Sequence, residues 1–232
     1  GLAERYNVII QERATRRPFQ HIVGTTEFYG LEFLCDARAL IPRPDSETVV
    51  EAVLGLIPET EPMTVADLGT GSGCLLAAIL ANRPKVRGVG VEASPQAASL
   101  ARENLSRHGL ETRATVFEGS WVDWPDWQSA GLIISNPPYI ARAEISALAP
   151  EVRLHDPMAA LDGGEDGLDA YREIIALAGQ KLSPGAWLAF EIGHDQKDAV
   201  SGLLEMAKFT AIGTSKDLGG NDRAVWGRKP ET

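Results

Sequence analysis

The sequence has little of what holds a secreted or a membrane protein together. Its 232 residues include two cysteines and four histidines. Cys35 and Cys74 lie far apart, with no spacing that marks a disulfide framework, which predicts reduced thiols in a cytoplasmic protein. His21, His108, His155 and His194 show no paired ligand spacing, so no zinc centre is expected. The longest uninterrupted apolar run, Cys74 to Ala81, is eight residues, far short of the roughly 20 that span a bilayer. Residues 1–10 lack the basic start, apolar middle and small-residue cleavage site of a signal peptide. Positive charge is scarce as well: 22 Lys and Arg stand against 32 Asp and Glu, a formal net charge of -10. A protein that coats duplex nucleic acid needs clustered Lys and Arg to neutralise phosphates, and this chain has few to offer.

What is present is the balance of an ordinary folded chain, 44% apolar and 23% charged, which excludes disordered, collagen-like and coiled-coil classes. The length suits one large domain. From residue 45 onwards, short β-rich apolar runs alternate with helical patterns, the sequence form of an α/β protein with a mostly parallel, doubly wound sheet. Asp45 and Ser46 are placed to cap a helix whose apolar residues Val49, Val50, Val53, Leu56 and Ile57 recur at helical spacing, and Pro58 stops it. Strands are predicted at 63–68, 87–91, 112–117, 132–135, 186–192, 209–214 and 224–228, the last two as an antiparallel pair. Helices are predicted at 74–82, from Ser94-Pro95 to Gly109, at 168–182 and at 196–208. Ahead of them, residues 20–41 alternate about Tyr29-Gly30 as a β-hairpin, and residues 3–17 have the composition of a lone helix. Residues 1–44 are thus expected to form a helix and a hairpin, and residues 45–232 the main domain.

Two segments carry chemistry. Asp67-Leu68-Gly69-Thr70-Gly71-Ser72-Gly73 falls where a strand passes into a helix. Glycine there lets the backbone turn sharply and lets a ligand approach without a Cβ in the way, beside the free N–H groups of a helix start. Glu92 ends the next strand, about 20 residues on, where a carboxylate accepts from ribose hydroxyls. A dinucleotide loop would read G-x-G-x-x-G; here the last position is Cys74 and the pattern is G-x-G-x-G, which suits an adenosine ligand without pyrophosphate, such as S-adenosylmethionine.

Asn136-Pro137-Pro138-Tyr139 follows the fourth strand of that sheet, at the carboxyl edge where open α/β folds bind ligands. Each proline excludes the helical region for the residue before it, so the segment is stiff and extended. Neither proline has an N–H, which leaves a carbonyl free to face a ligand beside the side-chain oxygen of Asn136. Two acceptors at fixed separation take both hydrogens of a planar amino group, and the ring of Tyr139 can lie flat against its π system.

With these two motifs the chain resembles a class I S-adenosylmethionine-dependent methyltransferase of the HemK/PrmC family, which methylates the side-chain amide of a glutamine. The resemblance extends to Pro18-Phe19-Gln20-His21-Ile22-Val23-Gly24, Glu27-Phe28-Tyr29-Gly30, Ile41-Pro42-Arg43-Pro44-Asp45-Ser46-Glu47 and Asp217-Leu218-Gly219-Gly220-Asn221-Asp222-Arg223. It implies a Rossmann-like, seven-stranded sheet and a peptide chain release factor as protein substrate, with its exposed Gly-Gly-Gln loop as the target. By the same resemblance, Gly69, Thr70, Gly71, Ser72 and Gly73 hold the methionine part of S-adenosylmethionine, Glu92 the ribose, and Trp121 flanks the adenine. Asn136 serves cofactor and target alike, and with Pro137, Pro138 and Tyr139 it holds the glutamine. The family carries a small all-helical domain ahead of the hairpin; residues 1–17 leave room for one helix. An N-P-P-Y segment also occurs in adenine-N6 methyltransferases acting on DNA or RNA, which would need a basic channel and a flipped base. A non-catalytic cofactor-binding module is disfavoured by two intact motifs.

Other features read as structural. Asp162, Asp166, Gly167 and Glu173 fit some positions of a calcium loop, but Gly164 and Ala170 do not, which predicts a loop capping the 168–182 helix. Arg13, Arg16 and Arg17 read as a solvated helix end. Cys74, with no His near it in sequence, reads as packing at a helix start.

Overall fold

The computed structural model describes residues 2–231. Ahead of the sheet come α1 (Leu2–Ala14), α2 (Phe19–Val23), β1 (Thr25–Phe28) and β2 (Leu31–Leu34). The main body follows as α3 (Glu47–Leu56), β3 (Met63–Leu68), α4 (Cys74–Asn82), β4 (Val86–Glu92), α5 (Pro95–Arg107), β5 (Ala114–Glu118), β6 (Leu132–Ser135), the single turn α6 (Pro150–Arg153), α7 (Asp169–Lys181), β7 (Trp187–Glu191), α8 (Lys197–Met206), β8 (Thr210–Lys216) and β9 (Asp222–Arg228). The seven strands lie in the order β5-β4-β3-β6-β7-β9-β8. Strands β3 to β7 are parallel, and β9 runs antiparallel to both neighbours. From β3 the chain winds outward through β4 to β5, then returns to place β6 on the other side of β3. That reversal opens a crevice outside the carboxyl ends of β3 and β6, where ligands bind in sheets of this kind.

The period of two along each strand divides its residues between two faces. Val65, Leu132 and Ile134 pack with the apolar side chains of α3 and α4. Their chain neighbours Ala66 and Ile133 pack with Tyr171, Ile174 and Ile175 of α7 and with Val200 and Leu204 of α8. Helix α4 is buried from Cys74 to Leu80, so its sequence is apolar on every side rather than along one stripe. Ser94 caps α5 as its position implies, its hydroxyl accepting from the Ala97 N–H at 3.3 Å with Pro95 at the first turn.

The hairpin is shorter than its pattern suggests. Phe19–Val23 is a helical turn, and the strands meet across Tyr29 and Gly30 with φ of 51° and 73°, the two left-handed residues of a type I′ turn. Glu47 accepts from the Tyr29 N–H at 2.8 Å, which ties that turn to α3. Asn104 of α5 accepts from the Leu34 N–H and donates to the carbonyls of Leu34 and Ser72. The hairpin is thereby fastened to the glycine-rich loop. A second difference concerns Ser46: a 3-10 turn at Pro44–Ser46 precedes α3, Ser46 has helical dihedrals, and its side chain makes no capping hydrogen bond. It is buried instead beside Glu191. Among the described residues, no helix is long and apolar enough to cross a membrane.

Candidate active site

Register brings the functional residues level. Val91, Leu68, Ser135 and Phe190 are partners across β4, β3, β6 and β7, so the next residues along, Glu92, Gly69, Asn136 and Glu191, emerge on one edge of the sheet. The Ser135 hydroxyl donates to the Leu68 carbonyl at 2.7 Å and locks β6 to β3 at this height.

From that edge the glycine-rich loop turns over the end of β3. Gly69, Gly71 and Gly73 have φ of 71°, 56° and 80°, a left-handed backbone that residues with a Cβ adopt at a cost. The N–H groups of Gly69 and Thr70 donate to the Val91 carbonyl, and the Thr70 hydroxyl donates to Asp67 Oδ2 at 2.6 Å. Burial pushes the Asp67 carboxyl up to about 7, against the pull of that hydroxyl. Glu92 accepts from the Gly71 N–H through Oε2 and from the Ser94 N–H through Oε1, both at 2.9 Å. Two backbone donors thus aim the carboxylate, and each oxygen keeps a lone pair for a ligand.

These groups border a cleft of about 260 Å³. Gly69, Thr70, Gly71, Ser72, Glu92 and Trp121 line it from one side, and Asn136, Pro137 and Pro138 from the other. Neither the Asn136 side chain nor the Pro137 carbonyl is engaged by another described residue, so the two acceptors predicted from the sequence stand free at the cleft. The Trp121 ring lies near Gly69 and donates from Nε1 to Glu173 Oε2 at 2.7 Å. Gly73 is set back as the residue before α4.

Tyr139 is the other residue that does not reach the cleft wall. Its hydroxyl donates to Glu191 Oε1 at 3.3 Å, and burial raises its phenol pKa, with the Glu191 charge acting the same way. Glu191 is 2% exposed, and its Oε2 has no hydrogen-bond partner among the described residues. Burial pushes this carboxyl up to about 7, while Ser46 and Arg223 beside it pull the other way. An ordinary glutamate ionises near 4.3 when unfolded. Between roughly 4 and 7 the folded chain therefore keeps a proton that the unfolded chain has released, and stability falls as pH rises through that window. The Glu191→Gln variant has no such proton to keep. Its stability relative to the parent should rise by about 3 kcal/mol between pH 4.5 and 7.5, measured by urea unfolding; a difference constant with pH would contradict this account.

Sequence reasoning left several residues of the cleft without a role. Ile41, Pro42, Arg43 and Ser46 form part of its wall. Arg43, held extended (φ -102°, ψ 138°) ahead of Pro44, pairs at 2.9 Å with Asp156, whose side chain is fully buried. The two prolines around an arginine were the available signal. Pro157, Ala159 and Ala160 close another side, from a stretch with no periodicity to mark it. The calcium-like run is a set of local turns: Asp162 Oδ1 accepts from the Gly164 N–H and Asp166 Oδ1 from the Leu168 N–H, at the start of α7. Among the described residues no group of His, Cys, Asp and Glu is arranged to hold a metal ion. Cys74 is buried with its thiol pushed up to about 12, the setting of a packing residue. Arg13 and Arg16 both pair with Glu151, and Arg17 with Glu12.

Fold and site together define a Rossmann-like class I methyltransferase, and a family model described as methyltransferase small domain matches residues 50–197. The chain is 44% identical over 223 residues to the release factor glutamine methyltransferase of Caulobacter vibrioides, covering 96% of this chain and 77% of that protein. It is 46% identical over 220 residues to the protein of the same name from Geobacter sulfurreducens, covering 95% and 76%. Among solved structures, the human METTL16 catalytic domain in complex with MAT2A 3'UTR hairpin 6 superposes with a TM-score of 0.73 over 91% of this chain and 81% of that one, at 17% identity. That likeness is one of fold. The chain belongs to the release factor glutamine methyltransferase family.

Proposed function

We propose that the chain methylates the side-chain amide nitrogen of the glutamine in the Gly-Gly-Gln loop of peptide chain release factors, with Asn136 and the Pro137 carbonyl holding the reacting amide. The observation that carries this reading is the pair of unengaged acceptors on a stiff segment at the cleft, level with Glu92 and the glycine loop. An amide nitrogen is a poor nucleophile because its lone pair is delocalised into the carbonyl. Acceptors fixed on both N–H bonds aim the nitrogen and stabilise the positive charge that grows on it.

The residues opposite suit S-adenosylmethionine. Three glycines of positive φ keep side chains out of the turn, Glu92 presents a carboxylate to ribose hydroxyls, and Trp121 offers a ring for the adenine. When bound, S-adenosylmethionine supplies an electrophilic methyl carbon. Gly69, Thr70, Gly71 and Ser72 would hold its methionine part, with Gly73 shaping the turn behind them, and Asn136 follows Ser135, the β6 residue paired with Leu68 just before Gly69. The substrate's glutamine is narrow enough to enter from an exposed loop, whereas a flipped adenine also needs its phosphates held by Lys or Arg. A chain of net charge -10 is poorly equipped for that. Both described cysteines are free thiols, which suits a reducing compartment, and we place the reaction in the cytoplasm.

With labelled cofactor, methyl groups should appear in a release factor with an intact Gly-Gly-Gln loop and vanish when that glutamine is replaced. Single-stranded and duplex DNA should take up only background label at low salt, where electrostatic binding is strongest. Efficient DNA labelling that weakens steeply with salt would instead favour the adenine methyltransferase reading.

A further inference from the structure

We infer that Gln196 is a positioning residue for the reaction: it holds the N-P-P-Y segment from beneath, in the orientation that presents Asn136 and the Pro137 carbonyl to the substrate amide. The inference rests on the role proposed for those two acceptors.

The segment needs such a brace. Strand β6 ends at Ser135, so residues 136–139 lie beyond the sheet's ladder, and Pro137 and Pro138 have no N–H with which to anchor themselves. Gln196, just before α8, supplies the missing hydrogen bonds from the other side. Its Nε2 donates to the Tyr139 carbonyl at 2.9 Å and to the Gly167 carbonyl at 3.3 Å. Its Oε1 accepts from the Gly193 N–H at 2.9 Å. Four chain segments thereby meet on one amide: the end of N-P-P-Y, the loop before α7, the turn after β7, and α7 itself, whose Tyr171 hydroxyl donates to Oε1 at 3.5 Å.

The loop before α7 completes the brace. Ile140 and Asp162 form a parallel bridge, the Ile140 N–H donates to the Leu161 carbonyl at 3.1 Å, and the Gly163 N–H donates to the Ile140 carbonyl at 2.8 Å. Both glycines at this contact are required by space. A Cβ on Gly163 would stand 2.8 Å from Tyr139 Cα and 2.9 Å from the Pro138 oxygen. One on Gly167, where φ is 77°, would stand 2.4 Å from the Tyr139 oxygen and 2.9 Å from Gln196 Nε2. The run Asp162-Gly163-Gly164-Glu165-Asp166-Gly167 is therefore shaped to receive the back of N-P-P-Y. Gln196 itself is absent from the wall of the cleft, which is why its action is indirect.

The test is the Gln196→Met variant, which keeps a straight chain of similar size but can neither donate nor accept as the amide does. We expect kcat on release factor to fall about 10-fold to 100-fold, because small displacements of a positioned group reduce rate on this scale. S-adenosylhomocysteine affinity, measured by calorimetry, should stay within about threefold of the parent, since the glycine loop and Glu92 hang on other strands. The distinguishing measurement is made in an Asn136→Ala background. There one of the two acceptors that Gln196 orients is already gone and only the Pro137 carbonyl is left to misplace, so the same substitution should lower kcat by clearly less than it does in the parent; coupled sites are non-additive, whereas independent ones add. Unchanged kcat, a full additive loss in the Asn136→Ala background, or joint loss of turnover and cofactor binding would each overturn the inference. If the unsubstituted protein fails to label release factor at all, it is the proposed reaction that fails, which separates the two outcomes.

Discussion

The Asn136→Ala variant should turn over release factor about 10²–10³ times more slowly than the parent while binding S-adenosylmethionine nearly as well, the usual loss when one preorganised polar group is removed from a transition state. The reasoning starts from what the side chain does not do. Asn136 makes no hydrogen bond to another described residue, so its removal orphans no buried donor or acceptor, and stability should change by no more than about 0.5 kcal/mol. Its contribution is made only when the amide of the substrate is in place. That amide gains positive charge as the new bond forms, so the interaction strengthens from ground state to transition state and kcat bears the effect. Steady-state kinetics with saturating cofactor, beside calorimetry of the same protein, make the check. Equal turnover of variant and parent would remove Asn136 from the reaction.

The legible parts of this site were those whose chemistry is local. A glycine loop announces itself because positive φ and close approach leave few alternatives to glycine, and N-P-P-Y because two consecutive prolines fix their own backbone. Strand β3, helix α4 and strand β6 begin and end as their patterns predict. Boundaries slipped by a residue or two where helix or strand fades into a turn, as at β5, which starts at Ala114 after the Ala114 N–H has closed a turn on Leu110. The sequence could not show what depends on register and on contacts between distant segments. Glu191 looks like the end of an ordinary strand until β6–β7 pairing sets it level with Asn136. Ser46 looks like a helix cap until the turn at Pro44–Ser46 carries its hydroxyl inward. The reading of Tyr139 concerned its ring, and nothing local signalled that its hydroxyl meets the Glu191 carboxyl. Gln196 carried no signal of any kind, because a lone glutamine before a helix is unremarkable until its partners are known.

Glu92→Ala should weaken S-adenosylmethionine by about 2–4 kcal/mol, taking about 1.5–3 kcal/mol for each hydrogen bond to a charged group and allowing for non-additivity. Two separate losses lie behind that figure. The carboxylate would no longer accept from the ribose, and the N–H groups of Gly71 and Ser94, each 2.9 Å from it, would lose their acceptor. The second loss loosens the loop that Glu92 aims at the ligand, so a weaker cofactor alone does not establish contact with the ribose. A cofactor product analogue lacking one ribose hydroxyl separates the two. On the parent it should bind markedly more weakly than S-adenosylhomocysteine; on the variant the two should bind about equally, because the group that told them apart is gone. High cofactor concentration should restore much of the variant's rate, since the acceptors at Asn136 and Pro137 are untouched. If the parent binds both ligands alike, Glu92 serves the Gly71 turn and the ribose must be held by another residue of the cleft.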